Sequence, residues 1–341
     1  MNSKERLINA ILRKEVDRIP TFEWSIDKNV INGILPDASE EDFIYKMNID
    51  AFVVEVDYKK YEIAPGIFKN EWGVIERTTS ETHTISAEGC IKNFNDLRKI
   101  NPPDVKASYR FNTLEKMIKK HSGEKAIILR LNDVLSIPRN LLGYENLFIN
   151  IATNPDFVKN LVDISAEYNI ALAKEAVKKG AEIVFTGDDY AYDKGLLISP
   201  EAFNEIFYPG FKKVIKSFKD SGLLVIKHTD GNIWDIIDKL IEAGIDCLDP
   251  IDPTSGMDIL SVKTKYGDKI SIKGNVNCAY TLSLGTIEET IAETKKCIKD
   301  GTYKYKYGYI LSSSNSIHSS VKPENYKVML DTLMKYGKYP I

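Results

Sequence analysis

Leu223-Leu224-Val225-Ile226-Lys227-His228-Thr229-Asp230-Gly231-Asn232 is an apolar run that stops at a histidine and an acid, then turns through glycine into a helical pattern. The run reads as a buried strand. In barrels and open sheets built of βα units, helices cover the sides, so only loops at the strands' carboxyl ends are free to form a site. His228 and Asp230 stand at such an end and are the leading candidates for metal binding or proton transfer. The structural alternative is a histidine bonded to its own turn, with Asp230 capping the following helix.

Outward from this stretch, short apolar runs alternate with longer amphipathic segments, which is the rhythm of βαβ units. The runs are 126–129, 183–185, 223–226, 247–248, 270–272 and 309–311, with 19–22 and 51–54 before them. Apolar residues at three- and four-residue spacing mark helices over 157–179, 233–243, 287–299 and 323–335. Eight strands with helices between them predict a single α/β domain over residues 1–341, a closed (β/α)8 TIM barrel. One segment breaks the rhythm. Residues 63–91 carry Pro65-Gly66, Trp72-Gly73 and an alternating Thr/Ser-rich stretch around His83, which predicts an antiparallel hairpin insertion. Such an insertion would cover the barrel mouth or pair with a second subunit in a homodimer.

With 341 residues, 43% of them hydrophobic, the chain can bury a large core. The 46 basic and 49 acidic side chains are intermixed and leave a net charge of -3, so neither nucleic acid nor an anionic membrane is an expected partner. Cys90, Cys247, Cys278 and Cys297 are widely spaced, without a CxxC pair, as expected of reduced thiols in a cytoplasmic protein. No apolar stretch reaches the roughly 18 residues of a membrane span. Lys far outnumbers Arg, and Ile, Asn and Tyr are frequent, a usage typical of AT-rich bacterial genomes.

The loops after the eight runs bring a largely acidic set to one end. In order they carry Glu23-Trp24; Glu55 and Asp57; Arg130, Asn132 and Asp133; Asp188-Asp189-Tyr190; His228 and Asp230; Asp249 and Asp252; Asn275 and Asn277; and Ser312 to Asn315. Several carboxylates around one histidine would repel one another unless a cation is bound or some are protonated. Zinc suits one histidine with carboxylates, and Mg²⁺ or Mn²⁺ an oxygen-rich set, although no HExxH pair is present. Ser313, Ser314 and Asn315 sit where a barrel's last βα loop presents N–H groups to an anion. His83 and His121 read as surface residues. GxGxxG after a strand, GxxxxGK[ST] and GxSxG are all missing, which disfavours nicotinamide dehydrogenases, P-loop NTPases and serine hydrolases.

These loops resemble the uroporphyrinogen decarboxylase superfamily, in particular its corrinoid-dependent methyltransferases from anaerobes. The likeness runs through Asp17-Arg18-Ile19-Pro20, Gly187-Asp188-Asp189, Ser199-Pro200-Glu201, His228-Thr229-Asp230-Gly231-Asn232, Gly274-Asn275-Val276 and Pro323-Glu324-Asn325. Decarboxylases of the family hold tetrapyrrole carboxylates with a basic stretch after the first strand, where this chain has Phe22-Glu23-Trp24-Ser25. The thiol methyltransferases bind zinc through a histidine and a cysteine one residue apart and a second cysteine near the end. Here those positions hold His228-Thr229-Asp230 and Ser314-Asn315-Ser316, without either thiolate.

The resemblance therefore implies methyl transfer between a small methylated or methoxylated compound, or an acceptor, and the cobalt of a separate corrinoid protein. His228, Asp230 and Glu55 would hold a metal such as zinc, Glu23 and Asp188 would complete the catalytic set, and Asn275, Ser313, Ser314 and Asn315 would face the cofactor. The alternative enzyme is a decarboxylase of a tetrapyrrole or related carboxylate. A binding protein for a corrinoid or tetrapyrrole is the alternative without catalysis.

Overall fold

A computed structural model describes residues 1–78 and 84–340. Thr79 to His83, and with them the reading of His83 as a surface residue, lie outside the described residues. The described residues form thirteen strands: β1 Ala51–Val54, β2 Lys60–Ala64, β3 Ile67–Asn70, β4 Ile75–Thr78, β5 Thr84–Glu88, β6 Ala126–Leu131, β7 Ile183–Gly187, β8 Ala191–Tyr192, β9 Gly195–Leu196, β10 Leu224–His228, β11 Cys247–Asp249, β12 Ser271–Val276 and β13 Tyr309–Ser313.

Seven of them form a parallel sheet in the order β1-β6-β7-β10-β11-β12-β13. Every residue of β12 and β13 is buried, as expected where helices cover one face and the opposite face packs on itself. The register places His228 beside Gly187 on one side and Asp249 on the other, so the loops that follow β7, β10 and β11 emerge together. The helices between strands include Pro155–Lys178, Tyr208–Asp220 and Ile287–Gly301. The last starts with a capping box in which Thr286 and Glu289 satisfy each other's backbone N–H groups.

Both edges of this sheet reach one short segment. Thr21 bridges Leu311 of β13 in parallel, the Leu311 N–H donates to the Pro20 carbonyl at 3.0 Å, and the Asp50 N–H donates to the Thr21 carbonyl at 2.8 Å. Asp50 fastens the segment from below. Its wholly buried carboxylate accepts from Arg6 Nη1 at 2.7 Å, from both Arg18 Nη atoms at 2.9 Å and from the Thr21 N–H at 2.9 Å. Two guanidinium groups and a backbone donor thus saturate one carboxylate, which is what makes a charge tolerable in the interior.

The insertion is larger than a hairpin. Strands β2, β3, β4 and β5 form a four-stranded antiparallel sheet, because Pro65-Gly66 and Trp72-Gly73 each make a separate turn, with Gly66 at φ +70° and Gly73 at φ +84°. Its face is mostly exposed at β2, so it needs an anchor. Arg110 supplies one. That fully buried side chain donates from Nη1 to Glu71 at 2.8 Å and to the Asp57 carbonyl at 2.8 Å, and its guanidinium lies 4.6 Å from the Tyr58 ring.

Candidate functional site

His228 closes β10 with a buried imidazole. Its Nδ1 lies 2.6 Å from Asp249 Oδ2 at the end of the neighbouring β11, and the other Asp249 oxygen accepts from Lys273 Nζ, also at 2.6 Å. A carboxylate can only accept, so Nδ1 carries the hydrogen and Nε2 is left to point elsewhere. It faces Asp230 Oδ1 at 3.6 Å and Asp189 Oδ1 at 3.8 Å. One ligand-capable atom each from Asp189, His228 and Asp230 falls within 4.8 Å of the others.

The carboxylates around His228 favour a positive charge on it. Burial opposes a charge on His228, yet Asp230 and then Asp249 outweigh it and raise the imidazole pKa to about 10. Burial likewise opposes ionisation of Asp249, but Lys273 and His228 hold its carboxyl below the usual range. Asp230 Oδ2 accepts from Asn315 Nδ2 at 2.8 Å, whereas Oδ1 is buried and without a hydrogen-bond partner. Without a metal this oxygen faces the charged imidazole, 3.6 Å from Nε2; a divalent ion that took the place of the Nε2 hydrogen would find a carboxylate oxygen ready as a ligand.

Backbone geometry delivers Asp230. Gly231 has φ +91°, and a Cβ there would stand 2.5 Å from the backbone of Ala191 and Tyr192, so only glycine lets the loop after β10 press against the β8–β9 ribbon. The Asp230 N–H donates to Asp189 at 3.1 Å and the Gly231 N–H to Asp252 at 3.2 Å. Asp230 is not a helix cap. The following helix spans Ile237–Ala243, and Ile236 is at its cap position.

The other expected site residues scatter. Asp188 is wholly buried and turned into the loop after β6, where it accepts from the N–H groups of Leu135 at 2.6 Å and Asp133 at 3.2 Å and from the Ser136 hydroxyl. It braces that loop, and its neighbour Asp189 faces His228 instead. Glu55 does not join the histidine either. Both of its oxygens accept from Arg130 Nη1 at 3.1 Å, and its side chain is more than half exposed. Glu23 is buried and accepts from the Ser313 N–H at 3.0 Å and the Ser313 hydroxyl at 2.7 Å. The end of β13 thus turns its N–H and hydroxyl to the protein's own Glu23. Burial raises the Glu23 pKa to about 7 even though Lys273 and Ser313 stabilise the charged form. Asn275 and Ser314 are likewise engaged internally, with the Ile251 carbonyl at 2.5 Å and the Cys278 N–H at 3.0 Å. Of the four residues expected to face a cofactor, Asn315 is the one that reaches the histidine centre. His121 is also buried, packed between Tyr45 and Phe52, because its Nδ1 finds the Tyr45 hydroxyl at 3.0 Å.

Beside the centre lies a cavity of about 660 Å³, roofed by the insertion and walled by Trp24, Glu55, Arg130 and Asn132 from the strand ends. His228 is not part of its lining. The two share Trp24, whose ring stands 5.7 Å from the imidazole in an edge-on arrangement and 4.4 Å from the Arg130 guanidinium. A molecule held in the cavity would be separated from the histidine centre by one aromatic wall.

Comparison with known proteins places this geometry in context. The family model described as "Uroporphyrinogen decarboxylase (URO-D)" matches residues 79–336. The chain is 26% identical over 252 residues to the methylcobamide:CoM methyltransferase MtbA of Methanosarcina mazei, covering 72% of this chain and 70% of that protein. It is 24% identical over 189 residues to the methylated-thiol–coenzyme M methyltransferase of the same organism, covering 55% of this chain and 49% of that protein. The match to the uroporphyrinogen decarboxylase of Aromatoleum aromaticum is 24% over 191 residues, 54% of this chain and 50% of that protein. The chain thus spans about half the length of two of these three relatives. A solved structure titled "methyltransferase from Methanosarcina mazei" superposes with a TM-score of 0.77 over 98% of this chain and 99% of that one, at 17% identity, which is a likeness of fold.

Proposed function

The chain belongs to the uroporphyrinogen decarboxylase family, and from that premise we propose that it is a methyltransferase, exchanging a methyl group between a small methylated compound and the cobalt of a corrinoid carried by a separate protein. The observation that carries the reading is the set Asp189, His228 and Asp230, converging within 4.8 Å with one orphaned carboxylate oxygen. A decarboxylase of this family would hold a polycarboxylate with cations after the first strand, where this chain has Glu23.

The residues present fit a divalent metal held by His228 Nε2, Asp230 and Asp189. When bound, such an ion would act as a Lewis acid on the oxygen or sulfur that gives up or accepts the methyl group. The chain's own groups have separable tasks. Asp249 keeps a hydrogen on Nδ1 of His228 and so leaves Nε2, whose hydrogen a metal would replace, facing the two carboxylates; Lys273 keeps Asp249 ionised. Asn315 fixes the rotation of Asp230 by donating to one of its oxygens. Trp24 and Phe185 pack against the imidazole, and the insertion roofs the neighbouring cavity. We read the support as one domain over residues 1–341, a closed (β/α)8 barrel in which residues 19–22 are the eighth stave. The bridge from Thr21 to Leu311 and the bond from Asp50 to Thr21 favour that closure.

Two measurements test the proposal together: metal content of the purified protein, and conversion of cob(I)alamin to methylcobalamin, followed by absorbance, on mixing with small methylated donors. Stoichiometric metal with methylcobalamin formation is expected. Decarboxylation of uroporphyrinogen at a useful rate, or a protein without metal and without methyl transfer to any donor, would overturn it.

A further inference from the structure

The cavity under the insertion has a charge pattern that selects its occupant. Its lining includes three acids, Glu55, Glu71 and Glu76, and three bases, Lys59, Lys60 and Arg130. Five of these six charges are paired with an opposite charge of the protein. Glu55 is bound to Arg130 at 3.1 Å, Glu71 to Arg110 at 2.8 Å, and Glu76 to Asn70 at 2.6 Å with Lys60 at 4.0 Å. Lys59 Nζ lies 4.2 Å over the Tyr109 ring. With three acids balancing three bases the lining offers an ionised guest no net counter-charge, and a guest that takes Arg130 must first displace Glu55.

What the lining leaves unspent is neutral. Among the described residues the Asn132 carboxamide has no hydrogen-bond partner, and Asn140 uses its oxygen, from Arg139 at 3.3 Å, but not its amide hydrogens. Trp72 and Tyr58 supply apolar surface. Trp72 is held edge-on against Tyr168 at 4.8 Å, and the Tyr168 hydroxyl donates to that of Tyr58 at 3.4 Å, so the aromatic wall is fixed before a guest arrives. A volume of 660 Å³ lies in the range of small-molecule pockets.

We propose that this cavity binds an uncharged small molecule with an apolar or aromatic body, its hydroxyl or ether oxygen held by Asn132 and Asn140, and that the Arg130–Glu55 pair excludes charged analogues. The proposal rests on the methyltransferase reading for the guest's role as substrate, but its binding chemistry does not. A guest of this kind would lie next to Trp24 and hence one ring away from the histidine centre.

The test uses the full chain stripped of metal, without corrinoid, and three probes of one shape: benzyl alcohol, benzoate and benzylammonium, titrated by ligand-observed NMR. Benzyl alcohol should bind saturably and at least about tenfold more tightly than either ion, the discrimination expected when a charge is buried unpaired. Asn132→Leu should weaken benzyl alcohol. Glu55→Gln should free Arg130 for an anion and raise benzoate affinity by about tenfold. The proposal fails if benzyl alcohol gives no saturable signal, if either ion binds the unaltered protein as tightly, or if Glu55→Gln leaves benzoate unchanged. Because these readouts need neither metal nor cobalt, their failure leaves methyl transfer standing. Failure of methyl transfer in turn leaves the binding result standing.

Discussion

His228 and Asp249 end adjacent parallel strands and meet at 2.6 Å, Nδ1 to carboxylate, with Lys273 on the far oxygen at the same distance. The pair decides which imidazole nitrogen faces Asp189 and Asp230, and so sets what the site can hold. Asp249→Asn removes the charge and can present an amide N–H to Nδ1, which would move the ring hydrogen to Nε2. Metal affinity should fall by roughly 10- to 100-fold, as for other lost partners of ligating histidines. Competition with a chromogenic chelator measures this, and wild-type affinity in Asp249→Asn would show that Nε2 is not a ligand.

Asp230 caps no helix, so Asp230→Asn should cost the metal-free protein only its ion pair with His228 and lower the melting temperature slightly. The same variant should bind metal more weakly and transfer methyl groups more slowly, because a neutral amide replaces the oxygen that has no donor of its own. Calorimetry with and without metal separates the two effects. A large loss of stability in the metal-free state would mean that the carboxylate holds the loop together.

Glu23 carries a pH signature. Its pKa rises from 4.5 to about 7 on folding because it is buried, with Lys273 and Ser313 only partly offsetting that. A raised folded-state pKa contributes stability that is fully present below about pH 4.5 and is lost as pH rises through about 7. Glu23→Gln keeps the neutral form at every pH, so its stability relative to the parent should improve from pH 5 to pH 8, by at most on the order of 3 kcal/mol. Denaturant melts at the two pH values check the sign. An unchanged difference would place the ionised carboxylate comfortably in its Ser313 cradle.

Asp50 is expected to matter for stability alone. Asp50→Ala leaves Arg6 and Arg18 buried without their shared counter-ion and should cost roughly 3 kcal/mol or more. Activity per folded molecule should survive, since the residue precedes β1 at the end of the sheet away from His228. Urea unfolding with the midpoint shifted down and the slope preserved is the expected result.

Where sequence reading chose Asp188, a stricter use of strand alternation would have chosen Asp189. Phe185, Gly187 and Asp189 share one face of β7 and its continuation, and Phe185 packs 5.3 Å from the His228 ring; Thr186 and Asp188 take the other face. The same count puts Ile226, His228 and Asp230 on one face, and Lys227 on the side where it meets Asp133 at 2.7 Å. Glu55 escaped such a test, because nothing local shows that Arg130 on the adjoining β6 claims it.

The alternation of the parallel strands with their helices was determined by the sequence itself, since buried parallel strands must be short and apolar and their covering helices amphipathic, and both periods are written in consecutive residues. The sequence also determined that polar chemistry collects after His228 and its counterparts, because each polar group directly follows its apolar run. The partners were decided by the tertiary structure. Asp249 for His228, Asn315 for Asp230, Ser313 for Glu23 and Arg110 for Glu71 join residues 21, 85, 290 and 39 positions apart. A buried polar group takes whichever complementary group the packing brings within about 3 Å, and in a sheet that is set by strand register and loop path, for which no short stretch of sequence carries the information.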